Sequence, residues 1–166
     1  HSQNPEAATR FLREARAAVK IKSEHVARVS DVGTLDSGAP YMVMEFLEGR
    51  SLRQFLKVRK RLTPVEAVKL VCDIVAGLAF AAERGISHRD LRPANVMITA
   101  KGEAKLLDFG LAAMAQGATQ GGVEEGPNAR TIDYVGLERV TGVRKNDLRS
   151  DIYFAGAILY EMLAGR

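Results

Sequence analysis

His88-Arg89-Asp90-Leu91-Arg92-Pro93-Ala94-Asn95 and, thirteen residues after that Asn, Asp108-Phe109-Gly110 are the stretches on which the fold turns. Asp90 can accept a hydroxyl proton, and Asn95, five residues on, offers an amide oxygen to a hard cation. Asp108 brings a carboxylate to the same cation from the far side of a short hairpin. Residues 96–98 and 104–107 read as the strands of that hairpin, joined by the Ala100-Lys101-Gly102 turn. Carboxylates and an amide around a divalent cation, with one base beside the acceptor, are the parts that phosphoryl transfer from a Mg-bound nucleotide requires.

Working back from this stretch, residues 86–88 read as a small strand, and Gly85 before them as a left-handed helix cap. The helix it closes opens at Thr63-Pro64-Val65-Glu66, a capping box with Pro in the first turn. Its apolar side is expected to carry Val65, Val68, Val71, Cys72, Val75 and Leu78, which leaves the lone Cys72 as a buried small hydrophobe. Ser51 can cap a shorter helix to about residue 57. Residues 26–32 and 41–46 read as antiparallel strands joined by 33–40, with an Asp36-Ser37-Gly38 turn. Asn4-Pro5 opens a helix whose apolar positions are Phe11, Leu12, Ala15, Ala18 and Val19. Downstream, residues 117–130 are Gly-rich and polar and read as a loop, and residues 151–163 as a closing helix.

The 166 residues suffice for one domain with a real core, and 46% hydrophobic with 27% charged residues is an ordinary globular composition. The net charge of +4 is mild and its basic residues are dispersed, which argues against a nucleic-acid partner. One cysteine excludes an internal disulfide and a Cys-based metal site. No stretch is long and apolar enough to span a bilayer, and the most apolar helix contains Glu161. The chain starts at His1 without a signal peptide and reads as a piece of a longer protein.

The two motifs resemble the catalytic and metal loops of eukaryotic-type protein kinases, H-R-D-L-x-x-x-N and D-F-G. Arg10-Phe11-Leu12-Arg13-Glu14-Ala15 and Tyr41-Met42-Val43-Met44-Glu45-Phe46 make the likeness strongest to bacterial serine/threonine kinases. The resemblance covers nearly the whole chain. It implies an α+β, protein kinase-like two-lobe fold in truncated form: 1–46 as the rest of the small lobe, 47–50 as the hinge region, 51–166 as the large lobe through its anchor helix. The Gly-rich loop and the ATP-binding Lys of the family are not among these residues, so the fragment alone is expected to have little activity.

The resemblance also implies roles. Asp90 would be the base, with Arg92 where serine/threonine kinases carry Lys, keeping the charge but as a planar fork. Asn95 and Asp108 would hold Mg²⁺ or Mn²⁺ against ATP, and Glu14 would pair with the ATP-binding Lys. Met44 would be the gatekeeper, the backbone of Glu45 to Leu47 the reader of the adenine edge, and Ser51 a ribose contact as well as a helix cap. His88 would pack near Phe109. Arg89 would receive a phosphate from the activation loop, where Glu124 or Glu125 stands in for one. Thr131, in a segment similar to T-P-x-Y-x-A-P-E that has Gly136-Leu137 in place of Ala-Pro, would contact Asp90. Asp151 would bond the backbone of the catalytic loop from a helix N-terminus. The partners implied are protein substrates with Ser or Thr hydroxyls, and a second kinase domain for trans-autophosphorylation. A cytoplasmic location follows from the need for ATP, the parent protein being membrane-anchored or not. A pseudokinase scaffold without turnover, or a small-molecule phosphotransferase, stands as the alternative.

Overall fold

The computed structural model describes residues 9, 12, 15–109, 137, 141–142 and 147–165. Residues 15–18 are helical, with Ala15 and Ala18 buried. Strands β1 (Val29–Thr34) and β2 (Pro40–Met44) pair antiparallel, with a register shift between Val29 and Asp31. The turn between them is closed by the Leu35 N–H on the Ala39 carbonyl and the Gly38 N–H on the Leu35 carbonyl. The first strand starts later than the Val-rich run suggests. Val26 instead forms an isolated parallel bridge to Leu106, with the Ala27 N–H on the Leu106 carbonyl and the Leu106 N–H on the His25 carbonyl.

A second sheet joins β3 (Gly49–Ser51), β4 (Val96–Thr99) and β5 (Ala104–Leu106) in that order, all antiparallel. The β4–β5 hairpin is the one expected from the sequence; β3 is not, because three residues around a Gly carry no readable alternation. Ser51 ends β3 and caps α1 (Leu52–Arg59). Its Oγ accepts the Gln54 N–H, and the Gln54 side chain accepts the Ser51 N–H.

Helix α2 (Pro64–Ala82) begins at the predicted box, Thr63 with Glu66, and Gly85 beyond its end has φ +69°. Its buried face, however, is Ala67, Leu70, Ile74, Gly77, Leu78 and Ala81. Of the expected stripe only Leu78 is buried. Val65 is 80% exposed and Val68 54%, and Cys72 is exposed rather than packed. Both sets repeat at helical spacing, and a helix that is apolar on nearly every side does not announce which face turns inward. The face chosen is the one whose small residues allow close approach. A Cβ on Gly77 would lie 2.9 Å from the His25 carbonyl oxygen and 3.0 Å from Leu106 Cδ1.

Helix α3 (Leu148–Ala164) packs along α2, which also lies against β5. The Leu62 N–H donates to the Met162 carbonyl, fixing the α1–α2 connection to the last turn of α3. Phe154, Ala155, Ile158 and Met162 enter the common core with Ile74, Leu78, Leu91 and Leu106. Residues 86–88, expected as a strand, are not one. Among the described residues no helix is long and apolar enough to cross a membrane.

Candidate active site

The loop after α2 owes its shape to α3. Asp151 is buried in the first turn of that helix, at the N-terminal end as expected, although the cap itself is Asp147 and the helix opens three residues earlier than the sequence suggests. Its Oδ2 accepts the Ser87 hydroxyl at 2.9 Å and the His88 N–H at 2.8 Å, while Oδ1 accepts the Arg89 N–H at 3.1 Å. Residues 86–88 are thereby spoken for outside any sheet: the Ile86 N–H donates to the Ala81 carbonyl at the end of α2, and Ser87 and His88 turn to the Asp151 carboxylate. Arg89 itself has φ +66°, a left-handed conformation that a side chain resists.

The same loop turns back on itself around Asp90. Asn95 Nδ2 donates to the Asp90 carbonyl and to Asp90 Oδ2, each at 2.9 Å. Arg92 Nε lies 3.6 Å from that Oδ2. Asp90 Oδ1 is buried and has no hydrogen-bond partner among the described residues. The Asp90 N–H donates to His88 Nδ1 at 3.3 Å. Burial drives the His88 imidazole below its ordinary 6.5, against the pull of Asp151 and Asp90, so the ring is neutral at pH 7. His88 and Phe109 meet with ring centroids 4.6 Å apart, as the sequence led us to expect.

Asp108 is brought to this loop by the hairpin. Val96 and Leu106 are cross-strand partners, and the Leu107 N–H donates to the Asn95 carbonyl at 2.9 Å. Asp108 follows in a left-handed conformation, φ +57°. Burial raises its carboxyl above the ordinary value; His88 and Arg92 oppose that and Asp90 adds to it. Asp90, Arg92, Asn95 and Asp108 thus form one cluster.

The residues expected from the sequence to meet a nucleotide lie around the end of β2 and the start of α1. Met44 shares a small cavity with Met42, Val29, Ala18, Asp108 and Phe109, so it faces the same space as the metal loop. Glu45 leaves β2 with its N–H on the Arg28 carbonyl. Among the described residues, no group bonds the Glu45 carbonyl or the Leu47 N–H. Ser51 Oγ is engaged as the α1 cap. Glu14 and Thr131, with Glu124 and Glu125, lie outside the described residues.

Sequence reading missed two contributors. Ser87 and Lys105 both bond charged partners distant in the chain, Asp151 and Glu45, and a single Ser or Lys in an ordinary local pattern gives no sign of that.

The donor set suits a divalent cation shared with phosphates. Asn95 turns its amide nitrogen to Asp90, leaving its oxygen for a cation, and the elevated carboxyl of Asp108 is what a nearby cation would bring back down. Among the described residues no three His, Cys, Asp or Glu side chains form a cage of their own. Mg²⁺ needs none, since it is held by one or two protein oxygens plus substrate and water.

A catalytic-loop Asp clasped by an Asn, a carboxylate at the end of a hairpin and a helix Asp gripping the loop are the arrangement of a protein kinase, and the chain belongs to the protein kinase domain family, which it matches over residues 1–166. Among its relatives is the probable serine/threonine-protein kinase PknB of Corynebacterium glutamicum, 34% identical over 168 residues, covering 99% of this chain and 26% of that protein. The serine/threonine-protein kinases PknB of Mycobacterium tuberculosis and Mycobacterium leprae are 34% and 35% identical over 167 and 170 residues, again 99% of this chain and 26% of theirs. The chain therefore spans about a quarter of the length of these curated relatives.

Proposed function

We propose that the protein transfers the γ-phosphoryl group of Mg·ATP to Ser or Thr hydroxyls of protein substrates, and that this chain carries its catalytic centre. The observation that supports this most is the state of Asp90. Its Oδ2 is held by Asn95, while its buried Oδ1 has no partner among the described residues and would take the proton of an acceptor hydroxyl. Arg92 offers positive charge beside it, toward the group in transfer. Asn95 and Asp108 are the residues that would hold Mg²⁺ or Mn²⁺, which when bound neutralises charge on the phosphates. The neutral His88 and the three hydrogen bonds to Asp151 keep the Asp90 backbone from drifting. Met44 would border the base, the Glu45 carbonyl and Leu47 N–H would meet its edge, and the Ser51 hydroxyl, accepting in its cap, can still donate to a ribose. Glu14 would meet the ATP-binding Lys, and Thr131 would steady Asp90 as the acceptor docks.

On this reading residues 1–46 belong to the small lobe, 47–50 to the hinge and 51–166 to the large lobe. The domain works where ATP is, in the cytoplasm, and it pairs with a second copy for trans-autophosphorylation. The test uses the full-length protein with labelled ATP, Mg²⁺ and a generic Ser/Thr substrate. Asp90→Asn should lower transfer roughly a thousandfold, the scale of a lost general base. No transfer by a folded wild-type protein above the level of that variant would replace the proposal with a pseudokinase.

A further inference from the structure

Glu45 is tied down on three sides. Its N–H donates to the Arg28 carbonyl at 2.9 Å, and its Oε1 accepts the Arg28 N–H at 2.8 Å in return. The same Oε1 accepts Lys105 Nζ at 2.9 Å, from a residue sixty positions away in β5. The Lys105 side chain is only 19% exposed. Its carboxylate partner is therefore shielded on one side by the strand. Burial alone would raise the Glu45 carboxyl; the bonds from Lys105 and Arg28 outweigh that and lower it, so the carboxylate is charged at neutral pH.

The two ends of this ion pair lie in different places. Glu45 starts the segment whose carbonyl and Leu47 N–H, unbonded among the described residues, would read the base on the proposal above. Lys105 stands three residues before Asp108. Between Lys105 and Asp108 the backbone has little slack: Leu106 is bonded to His25 and Ala27, and Leu107 to the Asn95 carbonyl. The route from the base-reading backbone to the cation-holding carboxylate is thus one ion pair followed by two tethered residues, Leu106 and Leu107.

We propose that the Glu45–Lys105 pair is a strut that sets the span between the base-reading segment and Asp108, so that a ligand engaging both ends at once is bound more tightly than either end alone would dictate. Lys105 is then a positioning residue for the nucleotide, touching no part of it. The inference rests on the nucleotide site proposed above. Its signature is selective. A ligand that reaches both ends should feel the strut; adenosine, which reaches only the base end, should not.

The experiment is equilibrium titration of the full-length protein with two probes, adenosine and a non-hydrolysable ATP analogue with Mg²⁺. Lys105→Met should weaken the Mg-bound analogue roughly two- to fivefold, the range for a partly exposed ion pair, and leave adenosine unchanged. Glu45→Gln should weaken the Mg-bound analogue by the same factor while keeping an acceptor for the Arg28 N–H, and the double variant should be no worse than either single one. Lys105→Arg, which preserves charge, should restore wild-type affinity and guards against a folding defect in Lys105→Met. In turnover, KM for ATP should rise with the same factor while kcat at saturating ATP moves far less. Unchanged analogue affinity overturns the strut, as does an equal loss for adenosine, which would make the pair a local prop of the base segment. A wild-type protein that binds neither probe overturns the nucleotide site itself, and the strut with it.

Discussion

Replacing Asp151 with Asn removes one oxygen from a residue that is 3% exposed and has three donors pointed at it. Oδ2 serves two of them and Oδ1 one, so the amide does least harm with its oxygen toward Ser87 and His88. Its NH₂ then faces the Arg89 N–H, donor against donor. An orphaned buried donor costs about 1–3 kcal/mol, and the two surviving bonds lose their charge assistance, about half their strength. The sum is about 2–4 kcal/mol, a large share of the 5–15 kcal/mol or so that holds a typical domain folded. Because Asp90 follows Arg89 directly, the base also shifts, and a misplacement on the order of 1 Å lowers turnover about 100-fold. Urea unfolding of the full-length protein should show a lower midpoint at an unchanged slope, alongside reduced kcat. Ser87→Ala, which removes a single neutral donor, should cost about 1 kcal/mol. The reasoning fails if Asp151→Asn stays within about 0.5 kcal/mol of wild type and keeps its turnover.

Two further outcomes follow from the geometry. Asp108 is raised from its ordinary 3.8 by burial, so the folded chain binds its proton more tightly than the unfolded chain. Its contribution to stability is therefore favourable at low pH and is lost as pH rises from 3.8 toward the folded value. Asp108→Asn should raise the metal-free melting temperature at pH 7 and flatten that dependence while abolishing transfer; a lower melting temperature would contradict it. Gly77→Ala places a Cβ 2.9 Å from a backbone oxygen, and overpacking of this kind costs about 1–3 kcal/mol. Calorimetry giving a stability equal to wild type would mean that the Ser23–Arg28 segment yields freely.

The parts of the site that were legible in sequence are those fixed by short-range chemistry. Asp90, Asn95 and Asp108 are few residues apart or joined by one hairpin, and both capping boxes reside within four residues. What escaped was decided at long range. The inward face of α2 was settled by His25 and Leu106 packing over Gly77, and nothing in a row of valines signals that. Residues 86–88 have the composition of a strand but bond to a carboxylate more than sixty positions on. Asp151 was identified as the anchor in the first turn of α3, but the start of the helix was set three residues late, because Asp147, capping through the Arg149 N–H at 2.8 Å, opens the helix at Leu148. Lys105 looked like any strand lysine until its partner came into view.

The left-handed Arg89 has one more consequence, and it concerns time. Its conformation is locally unfavourable, and the described hydrogen bonds that repay it end on Asp151, 62 residues later in the chain. A nascent polypeptide that has reached Arg89 has no such acceptor to offer. The β4–β5 hairpin and the side of α2 that lies against β5 can close before α3 exists, whereas the rest of the α2 face and the segment bearing Asp90 must wait for α3 to be made and docked. The catalytic loop is thus among the last parts to set: a ribosome stalled before Asp151 would leave the hairpin and α2 with an open core and an unformed catalytic loop.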